Sequence, residues 1–192
     1  MLYDIPKYDK SETHSDARQV TIMSIMIRTM INSDREHISS SPVVTGSNRP
    51  AGLYDRYYEE QEKGQRVVLL AFYNDIFAGH VNIIWKSDYP LFAEQDIPEI
   101  SDLIVVPDLR RQKIATALVD EAEKRIFKQS SFAGIGVGLY ADYGPAQRMY
   151  VLRGYVPDRL GLMYKRKPVK PGEMVKVDDD LVLYLIKKRP EK

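Results

Sequence analysis

The chain has 192 residues, of which 44% are hydrophobic and 29% are charged, and it contains no cysteine. This length and balance are typical of one globular domain with its own core. The lack of cysteine excludes thiol nucleophiles, zinc–thiolate sites and iron–sulfur clusters, and it gives no sign of an oxidising compartment. The formal net charge of +1 creates no overall field toward nucleic acid or anionic lipid.

Metal and membrane signals are also weak. The three histidines, His14, His37 and His80, stand far apart, so we expect no metal centre. The longest clearly apolar run, residues 67–73, is too short to span a bilayer, and the first residues are polar where a signal peptide would be apolar. We therefore expect a cytoplasmic protein with no membrane or nucleic-acid partner.

The predicted domain organisation is simple. Residues 1–25 are polar and are predicted to be a mobile leader, residues 26–187 form one domain, and residues 188–192 form a basic tail. The first half of the domain contains, in order, a strand within residues 19–30, a short helix capped near residues 32–34, a loop over 39–52, a helix over 53–63, and strands over 66–73 and 76–85.

The second half alternates strands and helices. Its predicted elements are a strand over 98–106, a strongly amphipathic helix over 111–128, a strand over 134–140, a helix over 145–153, a strand beginning at Tyr155, and a last strand over 181–186. Because the βα units do not repeat strictly, the order favours a mixed α/β (α+β) sheet over a doubly wound parallel one.

Residues 105–118 are the first segment that could bind a ligand. They predict a buried strand, a tight polar turn and the start of a helix, where free backbone N–H groups and the helix dipole suit a phosphate. Arg110, Arg111 and Lys113 place cations at this helix start, which the dipole disfavours unless an anion binds there. The alternative is a plain strand–helix connection with a solvated basic turn.

Residues 143–155 are the second such segment. They predict a helix that Pro145 opens and Gly154 ends, followed by a new strand. By pattern alone, Tyr150 is equally well a core aromatic residue of this helix. The glycines of residues 134–138 lie within a predicted strand and no helix begins at the third, so they are not a dinucleotide fingerprint.

The two segments, in this order, resemble the acetyl-CoA motifs of the GNAT family of N-acetyltransferases. The first family motif, Arg/Gln-x-x-Gly-x-Gly/Ala, is matched by residues 110–115, and the later one by Ala146, Tyr150 and residues 154–155. The resemblance covers about residues 26–187. It departs at Lys113, which replaces the motif glycine and is expected to need a negative φ, and at Tyr143, which replaces a frequent asparagine.

The resemblance implies a single-domain fold with a mixed, mostly antiparallel central sheet, flanked by helices and splayed between its fourth and fifth strands. It also implies acetyl-CoA as cosubstrate, with no metal. In the family, the pantetheine arm pairs with the strand before the first motif, which here maps to Leu103, Ile104, Val105 and Val106. The pyrophosphate would rest on the backbone N–H groups of Arg111, Gln112, Lys113, Ile114, Ala115 and Thr116, with Ala146 as a further cofactor-binding position.

The same resemblance implies the catalytic groups. Tyr150 would protonate the departing thiolate, and a backbone N–H near Leu103 or Ile104 would stabilise the oxyanion. Glu99 lies eleven residues before Arg110, where histone acetyltransferases of the family keep a glutamate base. Asp102 and water are the alternatives to Glu99. Strand alternation predicts that Glu99 and Asp102 face opposite sides unless a bulge intervenes.

The predicted function is therefore acetyl transfer from acetyl-CoA to a primary amine by direct attack in a ternary complex. The acceptor is expected to be a small-molecule or peptide amine, and family members often form homodimers. Tyr54, Tyr57, Tyr58, Glu59 and Glu60 could form an aromatic and acidic wall of the acceptor pocket, or simply an amphipathic helix with a wet face. The alternative function is a non-catalytic acyl-CoA-binding or regulatory protein.

Overall fold

A computed structural model describes residues 24–41 and 49–191. The part of the chain before the long central helix forms β1 (Ile25–Thr29), α1 (Asp34–Ser39), α2 (Leu53–Glu62), β2 (Arg66–Tyr73), β3 (Ile76–Ile84), α3 (Pro90–Glu94) and β4 (Glu99–Val105). The rest forms α4 (Ile114–Ile126), β5 (Phe132–Gly138), α5 (Gly144–Leu152), β6 (Val156–Tyr164), β7 (Lys167–Pro168) and β8 (Leu181–Lys188).

The strands form one eight-stranded sheet in the order β1-β2-β3-β4-β5-β8-β6-β7. Every neighbouring pair is antiparallel except β4 and β5, which run parallel. The tight turn between β2 and β3 has positive φ at both Asn74 and Asp75, as a two-residue hairpin of this twist requires. The predicted mixed, mostly antiparallel sheet flanked by helices is confirmed.

Helices cover both faces of the sheet. On one face, the buried stripe of α4 packs with Tyr150 of α5 on inward side chains of the central strands. On the other face, α1 and α2 cover β2 and β3, and α3 covers β5 and β8. Along β3, Val81 and Ile83 belong to the first face, and His80 and Asn82 point to the second because alternate residues of a strand face opposite sides.

β4 contains a bulge that decides where its side chains point. His80 of β3 pairs with Ile104 of β4, and Asn82 pairs with Ser101. Two β4 residues, Asp102 and Leu103, therefore stand opposite one β3 residue, Val81. Asp102 has a φ of 53°, in the left-handed region that aspartate tolerates better than most residues. On β3, a Cβ at Gly79 would lie 2.2 Å from the Ile104 carbonyl oxygen, so only glycine fits beside the bulge.

The sheet opens between β4 and β5. The two strands pair only at Glu99 with Gly134 and at Ile100 with Ile135, although β5 continues to Gly138 along β8. Beyond Ile100 the two strands diverge, which confirms the predicted splay between the fourth and fifth strands.

Several predicted boundaries differ from the structure. The helix predicted from residue 111 begins at Ile114, because Arg111 and Lys113 have φ values of 68° and 62° that an α-helix cannot contain. A side chain at Lys113 is tolerable without strain if φ is negative, and the structure does not meet this condition. The short helix α3, which begins with Pro90, was not predicted.

The start of the first predicted strand, within residues 19–30, lies outside the described residues, as do residues 1–23 of the predicted leader and 42–48 of the predicted loop. Within the described part of the chain, no helix combines the length and apolar character that crossing a bilayer needs.

Candidate active site

The opening between β4 and β5 exposes an unpaired strand edge. Leu103, Ile104 and Val105 have no pairing partner in β5, whereas the Val106 N–H donates to the Ala78 carbonyl oxygen at 2.9 Å on the β3 side. A strand edge of this kind offers backbone donors and acceptors to an extended, amide-containing ligand. Because the bulge inserts an extra residue into β4, one β4 residue has no backbone partner in β3.

The turn after β4 leads directly to the start of α4. A 3-10 turn over Pro107–Leu109 is followed by the two left-handed residues Arg111 and Lys113, and the helix has no side-chain N-cap. The first N–H groups of such a helix lack intrahelical partners, and turns with left-handed residues form concave anion sites. The residues predicted to bind the pyrophosphate lie together in this turn and the first turn of α4. Ile114 is buried, and the others are exposed or partly buried: Arg111, Gln112, Lys113, Ala115 and Thr116.

Tyr150 lies in α5 and packs among the core side chains beside α4. It is 4% exposed, and its ring meets that of Tyr155 edge-on at 6.0 Å between centroids. Burial raises the pKa of the Tyr150 hydroxyl, and the charge of Arg153 offsets the rise only in part. The phenol therefore keeps its proton at neutral pH, as a proton donor must. Ala146 is partly buried against the same cluster.

An ion cluster ties α5 to α4 and β8. Arg153 donates from Nε and Nη2 to the Glu123 carboxylate at 3.0 Å each, and Lys187 Nζ donates to the same carboxylate at 2.7 Å. Arg153 lies one turn after Tyr150. These bonds therefore hold α5, which carries Tyr150, in place relative to α4 and the turn with Arg111 and Lys113 that precedes it. The sequence did not predict this cluster, since its members come from three separate elements.

The two candidate bases of β4 lie on the same face, because a bulge intervenes, which is the exception that strand alternation allowed. Glu99 pairs with Ile84 and Gly134, on the face opposite the core residue Ile100. Simple alternation would put Asp102 beside Ile100, but the bulge turns Asp102 toward His80 and α2. Both carboxylates thus face the side of the sheet that α2 and α3 flank.

Asp102 is tightly bound by cationic and polar partners. Arg49 donates to both carboxylate oxygens, at 2.9 and 2.5 Å, and the Tyr57 hydroxyl donates at 3.0 Å. His80 Nε2 lies 3.1 Å from the same carboxylate. Burial alone would raise the pKa of Asp102, but the bonds from Arg49 and His80 outweigh it and hold the pKa far below the usual range. Asp102 is therefore a poor proton acceptor.

Glu99 has a different environment. It is 9% exposed, and its carboxylate accepts a short hydrogen bond from the Ser87 hydroxyl. Ser87 is oriented in turn, because its oxygen accepts the Tyr89 N–H at 3.0 Å. Burial raises the pKa of Glu99, and the Ser87 bond and the charge of Arg166 offset the rise only in part. A carboxylate with a raised pKa is a stronger base than an ordinary glutamate.

The predicted acidic wall on α2 does not form. Tyr54 and Tyr57 are buried in the core between α2 and the sheet, and Arg66 pairs with the Glu60 carboxylate at 2.6 Å. The structure fits the amphipathic-helix alternative for this segment. The Tyr57 hydroxyl reaches the site through its bond to Asp102.

The glycines of β5 make room for aromatic rings. A Cβ at Gly134 would lie 2.3 Å from the Phe92 ring, and one at Gly138 would lie 2.4 Å from the Tyr143 ring.

Among the residues that the structure describes, no group of three or more His, Asp and Glu side chains is placed to hold a metal ion.

Comparisons with known proteins agree with this geometry. The model of the acetyltransferase (GNAT) family matches residues 28–155. A comparison with curated protein sequences finds no match.

Solved structures share the fold at low sequence identity. Spermidine N-acetyltransferase from Vibrio cholerae, in complex with CoA and spermine, has a TM-score of 0.61 at 12% identity, over 85% of this chain and 95% of that one. Arabidopsis thaliana Naa50, in complex with the bisubstrate analogue CoA-Ac-MVNAL, has a TM-score of 0.60 at 14% identity, over 86% and 99%. A GNAT-family acetyltransferase from Streptococcus pneumoniae has a TM-score of 0.60 at 15% identity, over 86% and 100%. Since the family model covers more than half of the sequence, the chain belongs to the acetyltransferase (GNAT) family.

Proposed function

We propose that this protein transfers acetyl from acetyl-CoA to a primary amine by direct attack in a ternary complex. The observation that carries the proposal is the opening between β4 and β5, whose unpaired edge at Leu103–Val105 leads into the basic turn before α4. Two structures of the same fold support it, since one holds CoA with spermine and the other a CoA–peptide analogue. The acceptor is a small-molecule or peptide amine.

The chain offers three features to acetyl-CoA. The edge of β4 provides backbone partners for the amides of the pantetheine arm. The N–H groups of Ile114, Ala115 and Thr116 suit the pyrophosphate, together with the positive end of the α4 dipole. Arg111 and Lys113 add positive charge at the same place.

The reaction needs one base, one acid and one oxyanion donor. Glu99 takes a proton from the acceptor ammonium, directly or through a water, and the free amine attacks the thioester carbonyl carbon. The backbone N–H at Leu103 stabilises the oxygen that becomes negative. The carbon–sulfur bond then breaks as Tyr150 gives its proton to the departing thiolate. The nitrogen of the new amide gives up its remaining extra proton through water, which restores the Tyr150 phenol. Glu99 is the proposed base rather than Asp102 because Asp102 is neutralised by Arg49.

The test follows free thiol while the protein is incubated with acetyl-CoA and a panel of amines. Tyr150→Phe should lower kcat about 100-fold, the usual effect of losing a general acid, with little change in the affinity for CoA. Tyr140→Phe removes an exposed hydroxyl that is bound to Asp179, so it serves as the matched control and should keep wild-type turnover. Equal turnover of Tyr150→Phe and wild type across pH would contradict the role of Tyr150.

A second candidate function rests on Lys113. This residue replaces the motif glycine and adopts a left-handed φ of 62°, so its side chain stands in the turn proposed for the pyrophosphate. A non-catalytic acyl-CoA-binding protein would bind CoA in calorimetry and release no thiol with any amine. A failure to bind CoA would contradict both functions.

A further inference from the structure

The backbone of β4 turns at its bulge, and the peptide group between Asp102 and Leu103 decides where the Leu103 N–H points. The Val106 N–H donates toward β3, to the Ala78 carbonyl oxygen at 2.9 Å. Because successive residues of a strand direct their N–H groups to opposite edges, the N–H groups of Val105 and Leu103 lie on the edge that faces the opening between β4 and β5. The opening therefore receives two backbone donors, and the one at Leu103 adjoins the bulge.

Asp102 holds this peptide group in a conformation that its own backbone does not favour. Its φ of 53° lies in the left-handed region, which residues other than glycine adopt rarely. A residue stays in such a region when the surrounding contacts over-determine its position, and such residues cluster at active sites. The contacts of the Asp102 side chain should therefore decide the direction of the Leu103 N–H.

Four side chains from three parts of the fold hold the Asp102 carboxylate. Arg49, from the segment before α2, donates to both carboxylate oxygens. The Tyr57 hydroxyl of α2 and His80 Nε2 of β3 lie 3.0 and 3.1 Å from the carboxylate, and the Asn82 amide lies 3.5 Å from it. A rotation of the bulge would break several of these bonds at once, so they fix the Asp102 backbone through its side chain.

This cluster leaves polar atoms unpaired, which a purely stabilising core would avoid. His80 and Asn82 are fully buried, and His80 Nδ1 and Asn82 Oδ1 have no hydrogen-bond partner among the described residues. Unpaired buried polar atoms destabilise a fold, and a buried ion pair is often no better for stability than apolar side chains of similar volume. The cluster is therefore better explained by the geometry that it imposes on β4 than by its stabilising effect.

We propose that Arg49 and Asp102 are positioning residues that aim the Leu103 N–H at the thioester oxygen of acetyl-CoA. The inference rests on the proposed function and assigns the side chains that hold its oxyanion donor. Both residues act through the backbone: Arg49 fixes Asp102, and Asp102 fixes the next peptide group. A donor that is fixed before the reaction stabilises the developing charge without rearrangement, whereas a donor that turns freely does not.

The deciding variant is the neutral pair Arg49→Met, Asp102→Asn. It removes both charges together, so no buried charge is left unpaired, and asparagine tolerates the left-handed φ of position 102. Its free energy of unfolding, measured in urea, should therefore stay close to that of the wild type. A purely structural role predicts that its turnover and its spectrum with bound acetyl-CoA also stay close to those of the wild type.

The carbonyl band of bound acetyl-CoA reports on the donor without any acceptor amine. Infrared difference spectra with acetyl-CoA labelled with carbon-13 at the carbonyl isolate this band, whose frequency falls when an N–H donates to the oxygen. We expect a higher frequency in the neutral pair than in the wild type, while calorimetry shows the same affinity for CoA. With an accepted amine, kcat should fall about 10- to 100-fold and KM should stay near that of the wild type.

Tyr57→Phe is a milder second variant. It removes the hydroxyl bond to Asp102 and keeps the ion pair, so its folding does not depend on the replaced charges. Its carbonyl band should move in the same direction as that of the neutral pair, by a smaller amount. If the neutral pair does not fold, Tyr57→Phe alone decides, and a band at the wild-type frequency would overturn the positioning role.

Arg28 and Asp34 provide a matched control. They form a pair with the same two-bond geometry, at 2.6 and 2.7 Å, and β2 and β3 separate their strand β1 from β4 in the sheet. Arg28→Met, Asp34→Asn should leave the carbonyl frequency and kcat as they are in the wild type. An equal change in both double variants would overturn the assignment to Arg49 and Asp102.

The spectrum and the turnover separate this inference from the proposed function. An equal carbonyl frequency in the wild type and the neutral pair would overturn the positioning role, even where the wild type releases thiol with an amine. A difference in frequency without thiol release from any amine would support the positioning role and overturn the proposed transfer. A wild type that does not bind acetyl-CoA would overturn both.

Discussion

Glu99 and Asp102 lie three residues apart on one strand and one face, yet their surroundings give them opposite properties. Asp102 accepts bonds from Arg49, Tyr57 and His80, and these partners keep its pKa far below the usual range. Glu99 has Ser87 as its bonded partner, and burial raises its pKa. The difference shows that side chains from distant elements, and not the residue type, decide which carboxylate can take a proton.

The two residues therefore serve different purposes. Asp102 ties the β4 bulge to α2, to the segment that precedes α2 and to β3, since Tyr57, Arg49 and His80 come from these three places. Glu99 is the proposed base because little stabilises its charged form. The bulge is what allows both to act on one face, as it turns Asp102 away from the core side.

The largest expected effect concerns catalysis. Glu99→Gln should lower kcat about 100- to 1,000-fold with any accepted amine, because the ammonium then lacks a positioned base. Stopped-flow or continuous thiol release measures it, and calorimetry should show unchanged CoA binding. If Glu99→Gln stayed within a few-fold of wild type at every pH, water or Asp102 would replace Glu99 as the base.

Asp102 should matter more for stability than for proton transfer. Asp102→Ala leaves the Arg49 guanidinium and His80 without their partner, and we expect the free energy of unfolding to fall by about 3 kcal/mol. Urea denaturation measures this loss. The double variant Arg49→Met, Asp102→Ala should recover part of it, because it removes the unpaired charge. A loss below about 1 kcal/mol would mean that Asp102 is not the anchor.

The contrast also appears in the pH dependence of stability. The raised pKa of Glu99 means that its ionisation opposes folding, so this carboxyl destabilises the protein as pH rises above the ordinary glutamate range. Glu99→Gln should therefore be little changed in stability at acid pH and become more stable than wild type toward pH 8. Asp102→Asn should show the reverse trend, since a lowered pKa stabilises the folded state at neutral pH. Thermal unfolding from about pH 2 to 8 compares both, because the Asp102 effect changes below about pH 4 and the Glu99 effect changes above it. Parallel curves over this whole range would contradict the assignment.

The smallest expected effect belongs to Ser87. Its hydroxyl bond lowers the pKa of Glu99, so Ser87→Ala should move the acid limb of the kcat/KM profile to higher pH. Ser87→Thr keeps a hydroxyl and should stay near the wild-type profile. A merely structural loss would lower the rate at every pH and leave the limb in place.

Local patterns predicted much of the fold. The strands of the β2–β3 hairpin, the buried stripe of α4 and the bounds of α5 depend on periodicity, turn residues and helix stop signals within a few residues of the chain. The family resemblance that the two motifs carry also implied the splay between β4 and β5. The turn before α4 was less predictable, because its left-handed Lys113 stands where local rules expect glycine.

The sequence by itself therefore determined the family, the order of strands and helices apart from α3 and β7, and the positions of Tyr150 and of the turn before α4, because these depend on local spacing. Only the tertiary structure decided the different surroundings of the two carboxylates, on which the proposed base rests. Strand pairing with β3 creates the bulge that turns Asp102, and Arg49 reaches it from 53 positions away in the chain. Ser87 likewise meets Glu99 only when the sheet assembles, because no local pattern specifies contacts between side chains of different elements.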